Sequence, residues 1–173
     1  MDIQCSFLSI PLSHCFIRKN VIIQNDIICD LPKTGNGFNN LKEAHHQFET
    51  IVKENNQLCI NLDLYQNAGA NIVQQLAYGL AHTNEYLNHF EKILDSNKKQ
   101  DLGITFNVAI GSNYFFEIAK LRALRNLWAA LASEYGFNIN CRIKAIPSKR
   151  NKTIYDYNVN MLRTTTECMS AVL

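Results

Sequence analysis

Polar residues recur at every second position in three short stretches of this chain, and their types suit a hydrogen-bonding or charged ligand. Asn61 and Asp63 alternate with Ile60, Leu62 and Leu64. Thr105, Asn107 and Ala109 alternate with Ile104, Phe106, Val108 and Ile110, and Asn140, Arg142 and Lys144 alternate with Ile139, Cys141 and Ile143. A period of two is that of a strand with one apolar and one polar face. Parallel strands covered by helices normally read apolar on both faces, so the polar sets call for an explanation. Sharing one face, they would line a channel for a polar ligand. Alternatively they would hold an ion-pair network in which Asp63 faces Arg142 or Lys144, because buried charges persist when paired. An antiparallel sheet with one wet face gives the same pattern.

Other chemistry-bearing residues read as ordinary structure. His82 and His89 stand seven residues apart on one helical pattern, two turns, too far to chelate one ion, so surface or interface histidines and no metal site are expected. His45 and His46 are adjacent and point different ways. Lys149, Arg150, Asn151 and Lys152 follow a strand, where such a cluster either holds phosphates or is a solvated loop. Glu117, Lys120 and Arg122 read as surface or helix-interface charges. Gly35-Asn36-Gly37 is too short for a phosphate-binding loop and lacks its lysine and helix. Cys5, Cys15, Cys29, Cys59, Cys141 and Cys168 lie far apart with no C-x-x-C pair, the pattern of reduced core thiols in a cytoplasmic protein.

The elements that position these residues follow from periodicity. Leu41, Ala44, Phe48, Ile51 and Val52 have helical spacing, and residues 57–64 alternate as a strand. A second helical pattern covers residues 70–94 and a polar loop 95–101. A strand at 104–110 precedes a helix that starts near Ser112 and ends at Gly136. Residues 138–145 form the third strand, 148–152 its loop, and a last helix begins near Asn158. Residues 21–23 and 27–29 are short apolar runs with strand character. Alternating strands and helices imply right-handed β-α-β units and a parallel sheet, either open and doubly wound or a sector of a (β/α)8 barrel. Residues 1–173 then read as one domain, incomplete at both ends, because the final helix is still in an apolar run at Leu173 and too few strands precede it to close a barrel.

Composition agrees with one globular domain: 173 residues, 47% apolar, 18% charged, with a net charge of +2 and no basic block. Neither nucleic acid nor an anionic membrane is an expected partner. The apolar stretch at residues 5–12 is too short for a membrane span and lacks the flanks of a signal peptide.

Three blocks go further. Tyr65-Gln-Asn-Ala-Gly-Ala-Asn-Ile-Val-Gln-Gln-Leu-Ala-Tyr78, Ile110-Gly-Ser-Asn-Tyr-Phe-Phe-Glu-Ile-Ala-Lys-Leu-Arg-Ala-Leu-Arg-Asn-Leu-Trp128 and Asn160-Met-Leu-Arg-Thr-Thr-Thr-Glu-Cys-Met-Ser-Ala171 together resemble the barrel of the methylmalonyl-CoA mutase family, in particular its small, non-catalytic subunits. The likeness runs from about Ile22 to the last residue. It implies a partial (β/α)8 barrel with parallel strands and covering helices, whose axis takes the pantetheine arm of a coenzyme A ester. It also implies adenosylcobalamin, carried by a partner, and a radical rearrangement of methylmalonyl-CoA to succinyl-CoA.

Departures from the family pattern qualify that implication. Lys144 occupies the position of the family's active-site histidine, and Gly103 that of an arginine before the Ile-Gly-x-Asn motif. The Tyr-His of a Gly-Tyr-His-x-Gln-Glu-Ala-Gly segment is Asp63-Leu64 here, with Gln66 and Gly69 retained, and no D-x-H-x-x-G cobalamin signature occurs in the sequence. The resemblance therefore implies no catalytic residue and no cofactor on this chain, with Asn61, Asp63, Gln66, Thr105, Asn107, Asn140, Arg142 and Lys144 as lumen-facing candidates. It also implies a large catalytic subunit as partner in a heterodimer. A coenzyme A ester-binding module without catalysis and an unrelated open α/β binding domain are the competing readings.

Overall fold

The computed structural model describes residues 2–4, 22–24, 26–35 and 41–173. Strands β1 (Asp2–Gln4) and β2 (Ile22–Gln24) pair in parallel. After helices α1 (Ile27–Thr34) and α2 (Leu41–Asn55) come β3 (Gln57–Asn61), the short α3 (Asp63–Asn67) and the long α4 (Ile72–Glu91). Then follow α5 (Ser96–Asp101), β4 (Gly103–Ile110), α6 (Tyr114–Tyr135), β5 (Cys141–Pro147) and α7 (Tyr157–Val172). The second sheet runs β3-β4-β5, parallel throughout. Parallel pairing removes the antiparallel alternative.

Local chemistry sets the boundaries. Asn71 and Gln74 cap the start of α4 reciprocally, each side chain accepting from the other's backbone N–H at 2.8 and 3.0 Å. Gly136 ends α6 in the left-handed region, φ 70°. β4 is rich in β-branched and aromatic residues suited to a pleated, packed surface. Its apolar side chains Ile104, Phe106, Val108 and Ile110 join Leu58, Ile60, Phe90, Leu124 and Trp128 in one core under the helices, with Phe106 and Trp128 edge-on at 5.8 Å.

Four expected elements differ. Residues 27–29 open a helix, because the Asp26 carboxylate caps it by accepting from Cys29 N at 3.2 Å. The strand expected at 57–64 ends at Asn61. Leu62 N still donates to Asn107 O at 2.8 Å, and Asp63 then begins α3, so an apolar-polar alternation continues across a strand-to-helix turn without being strand. The polar stretch 95–101 contains the single-turn α5. The third strand starts at Cys141, since Asn138 accepts from Asn140 N at 2.9 Å and donates to Gln100 O at 3.1 Å, which makes residues 138–140 a turn. Cys5, Cys15, Val21, Asn36 and Gly37 lie outside the described residues. Among those described, Cys29 and Cys59 are buried thiols, Cys141 is half-buried and Cys168 exposed, all unpaired with one another.

Candidate functional site

Register decides which polar side chains meet. Across the parallel sheet Cys59 stands beside Thr105 and Thr105 beside Arg142, while Asn61 stands beside Asn107 and Asn107 beside Lys144. These residues share one face, opposite the apolar core. Asn107, 1% exposed, donates to Asn61 Oδ1 at 2.6 Å and approaches Cys59 Sγ at 3.3 Å. Burial is the main cause that pushes the Cys59 thiol up, followed by the charge of Asp26, with the ammonium of Lys144 acting the other way. Arg142 and Lys144 themselves are exposed on β5.

Two candidates fall off this row. Asp63 is on α3, its carboxyl raised by burial against the backbone N–H groups of residues 63 and 64 and the charge of Lys149. No ion pair joins it to Arg142 or Lys144 among the described residues, because the helical turn carries it out of the strand row. Asn140 lies before β5, exposed in the turn. Gln66 is buried on α3 and accepts from Ser148 Oγ at 2.9 Å, while its carbonyl accepts from Arg150 at 3.2 Å.

These contacts form one wall of a cleft of about 400 Å³ at the strand ends, lined also by Gly111, Asn113, Glu117 and Asn151. A side chain at Gly111 would place Cβ 3.2 Å from Glu117 Oε1 and 3.3 Å from Gln66 Nε2, so the glycine of the Ile-Gly-x-Asn motif keeps this corner open. The basic loop is only partly solvated: Lys152 pairs with the buried Glu167, and Lys149 N donates to Asn67 Oδ1.

Beneath the cleft lies a buried charged pair. Of the two places expected for Glu117 and Lys120, the surface or a helix interface, the structure gives the second, with 2% and 1% exposure. The Lys120 ammonium pairs with the Glu117 carboxylate and donates to Gln75 Oε1 at 2.9 Å and to Ala109 O at 2.6 Å. Its three donors are thereby used. Burial lowers the Lys120 pKa, and Glu117 offsets part of that. The signal was positional: 117, 120, 124, 128 and 132 follow one helical stripe, and Leu124, Trp128 and Ala132 are its buried continuation. His82 also turns inward, where burial lowers its pKa. Tyr65 Oη lies 2.9 Å from its Nε2, whereas His89 pairs with Glu49 at 2.9 Å near the surface.

A family profile described as Methylmalonyl-CoA mutase matches residues 17–173. This chain belongs to the methylmalonyl-CoA mutase family. It is 44% identical over 124 residues to the methylmalonyl-CoA mutase small subunit of Porphyromonas gingivalis, an alignment covering 67% of this chain and 20% of that protein. For the small subunit of Propionibacterium freudenreichii the identity is 36% over 116 residues, 65% of this chain and 18% of the other. The large subunit of the same organism gives 34% over 110 residues, 61% and 15%. The chain thus spans about a fifth or less of the length of these relatives. No helix among the described residues is long and apolar enough to cross a membrane.

Proposed function

We propose that this chain is a non-catalytic, small-subunit segment of a cytoplasmic methylmalonyl-CoA mutase, a sector of a (β/α)8 barrel that forms a single domain over residues 1–173 and acts by association with a large catalytic subunit. The observation that carries this reading is the row Asn61–Asn107–Lys144. The resemblance puts the family's histidine at the last of these positions, where Lys144 sets a flexible point charge in place of a planar ring that carries a donor and an acceptor together. Strand order is compatible with the barrel: each strand of β3-β4-β5 lies beside its successor in the chain, as in a barrel sector and in one half of a doubly wound sheet, and the family membership favours the barrel. On α7, Met161, Leu162 and Met169 are exposed, apolar surface that association would cover.

Adenosylcobalamin, which the family implies, does not fit the residues present. The described histidines sit on α2 and α4 and not on the loops that follow the strands, and none has the D-x-H-x-x-G context of a cobalamin ligand. We therefore assign the cofactor to the partner.

The test is mutase assay of the 173-residue chain with adenosylcobalamin and methylmalonyl-CoA, alone and mixed with a large subunit. No turnover alone and a stable complex in the mixture are expected; turnover by the isolated chain overturns the reading. A second reading, acyl-coenzyme A binding without chemistry, draws on the cleft, whose volume of about 400 Å³ is within the range of ligand pockets. Calorimetric titration with acyl-coenzyme A esters separates the two, since heat of binding without partner association favours the second.

A further inference from the structure

Apart from the strand row and the cleft, three residues with metal-ligand chemistry converge where α1, the end of β3 and the middle of α4 meet. Asp26, Cys29 and His82 each present one ligand atom, and these atoms lie within 4.8 Å of one another. Asp26 and Cys29 are each 2% exposed and His82 is half-buried.

Two of the three are held from behind. Asp26 Oδ1 accepts from the Tyr86 hydroxyl at 2.6 Å and from Cys29 N at 3.2 Å, and Oδ2 from Asn61 N at 2.7 Å, which leaves lone-pair capacity on Oδ2. Tyr65 Oη lies 2.9 Å from His82 Nε2. With Nε2–H donating to that oxygen, the bare Nδ1 lone pair faces Cys29 Sγ, 3.6 Å away. A zinc ion with bonds of about 2.3 Å to sulfur and about 2.05 Å to nitrogen at a tetrahedral angle holds those two atoms about 3.6 Å apart. A histidine whose second ring nitrogen is fixed by a hydrogen bond, beside a carboxylate fixed by three, is the support that metal sites require.

We propose that Asp26, Cys29 and His82 form a zinc site, with the fourth position left to water. One thiolate, one imidazole and one carboxylate suit zinc and exclude the hard, all-oxygen cations magnesium and calcium. Without metal, Cys29 keeps its proton, since burial raises the thiol and the charge of Asp26 adds to this; the thiol then donates to Asn61 O at 3.2 Å. Binding breaks the Cys29 S–H bond, forms the sulfur–zinc bond and releases one proton to solvent per ion. The site ties α1 to β3 and α4, so zinc raises the thermal midpoint of the chain. Tyr65 is a positioning residue in this scheme.

The full 173-residue chain, stripped with a chelator, is titrated with cobalt(II) as a spectroscopic substitute and then with zinc. One equivalent of cobalt is expected to give the near-ultraviolet sulfur-to-cobalt charge-transfer band and tetrahedral visible bands. One equivalent of zinc should abolish them, with one proton released. Cys29→Ser and His82→Gln should each weaken binding at least ~100-fold and Tyr65→Phe ~10-fold with the band retained, while Cys59→Ser and Cys168→Ser leave it unchanged. Should Cys29→Ser fail to fold by circular dichroism, X-ray absorption of the zinc-loaded wild type decides, with one sulfur among nitrogen and oxygen neighbours expected. No band at one equivalent, a band that depends on Cys168 or Cys59, or a zinc shell with no sulfur or with two would overturn the site.

Discussion

Lys120→Met tests how well the buried pair under the cleft is closed to water. Methionine keeps the length of the apolar stem and removes the ammonium. It leaves the Glu117 carboxylate, 2% exposed, without its counter-charge, and strips Gln75 Oε1 and Ala109 O of the donors they now face at 2.9 and 2.6 Å. Removing one member of a buried pair costs about 3–5 kcal/mol, because the remaining charge is desolvated and unpaired. In a chain of this size about 1 kcal/mol moves the thermal midpoint by ~2–4 °C, so Lys120→Met is expected to melt ~6–20 °C below wild type. Glu117→Gln/Lys120→Met removes both charges, and a neutral amide in the same place should recover most of the loss. The assay is urea and thermal unfolding of wild type, both single variants and the double variant, closed as a cycle. A Lys120→Met cost below about 1 kcal/mol, or a double variant no more stable than Lys120→Met, would show that water reaches the pair and that the reasoning is wrong.

Gly79→Ala puts a methyl group against the Leu62 side chain, which is fully buried where α4 crosses the end of β3; overpacking of this kind costs about 1–3 kcal/mol, and urea unfolding unchanged from wild type would contradict it. For Asp30, burial first and the charge of Asp26 second raise the carboxyl from 3.8 to about 6 against the pull of Lys33. A raised acid contributes stability that is complete below about pH 4 and lost as pH climbs through 6, so Asp30→Asn should gain on wild type between pH 4 and 7, and a difference independent of pH across a series of urea titrations would refute the assignment.

What was legible in the sequence was whatever periodicity alone determines. The strand at 104–110 and the helix ending at Gly136 follow from an uninterrupted pattern and a terminator, and the shared polar face follows from three alternations in one parallel register. Asp63 and Asn140 misled because alternation continued past the physical end of a strand: at Asp63 the chain turned into a helix, and at Asn140 side chain–backbone bonds had already made a turn. Such bonds compete with the ladder and leave no period behind. For Glu117 and Lys120 the sequence left the surface and a helix interface both open. Position decides between them, since both lie on the stripe that buries Leu124 and Trp128. Asp26, Cys29 and His82 could not be joined from sequence at all, since the residues that hold them, Asn61, Tyr65 and Tyr86, belong to separate elements brought together only by the fold.

Polarity in the strand row is graded to match burial, and this bears on what Lys144 can do. On β4, buried on both faces, the row carries uncharged Thr105 and Asn107, and the Asn107 amide nitrogen donates to Asn61 Oδ1. A full charge there would need a partner or would cost several kcal/mol. On β5, where Arg142 and Lys144 are exposed, a charge keeps its water and costs little. The row thus admits an ammonium at its outer edge and nowhere further in. The consequence is geometric: a lysine offers a flexible point charge with three donors, suited to an anionic or carbonyl group, and lacks the paired donor and acceptor of a planar imidazole. Lys144 thus lies at the hydrated edge of the polar row, and replacing it costs far less folding free energy than replacing Asn107 at the buried centre.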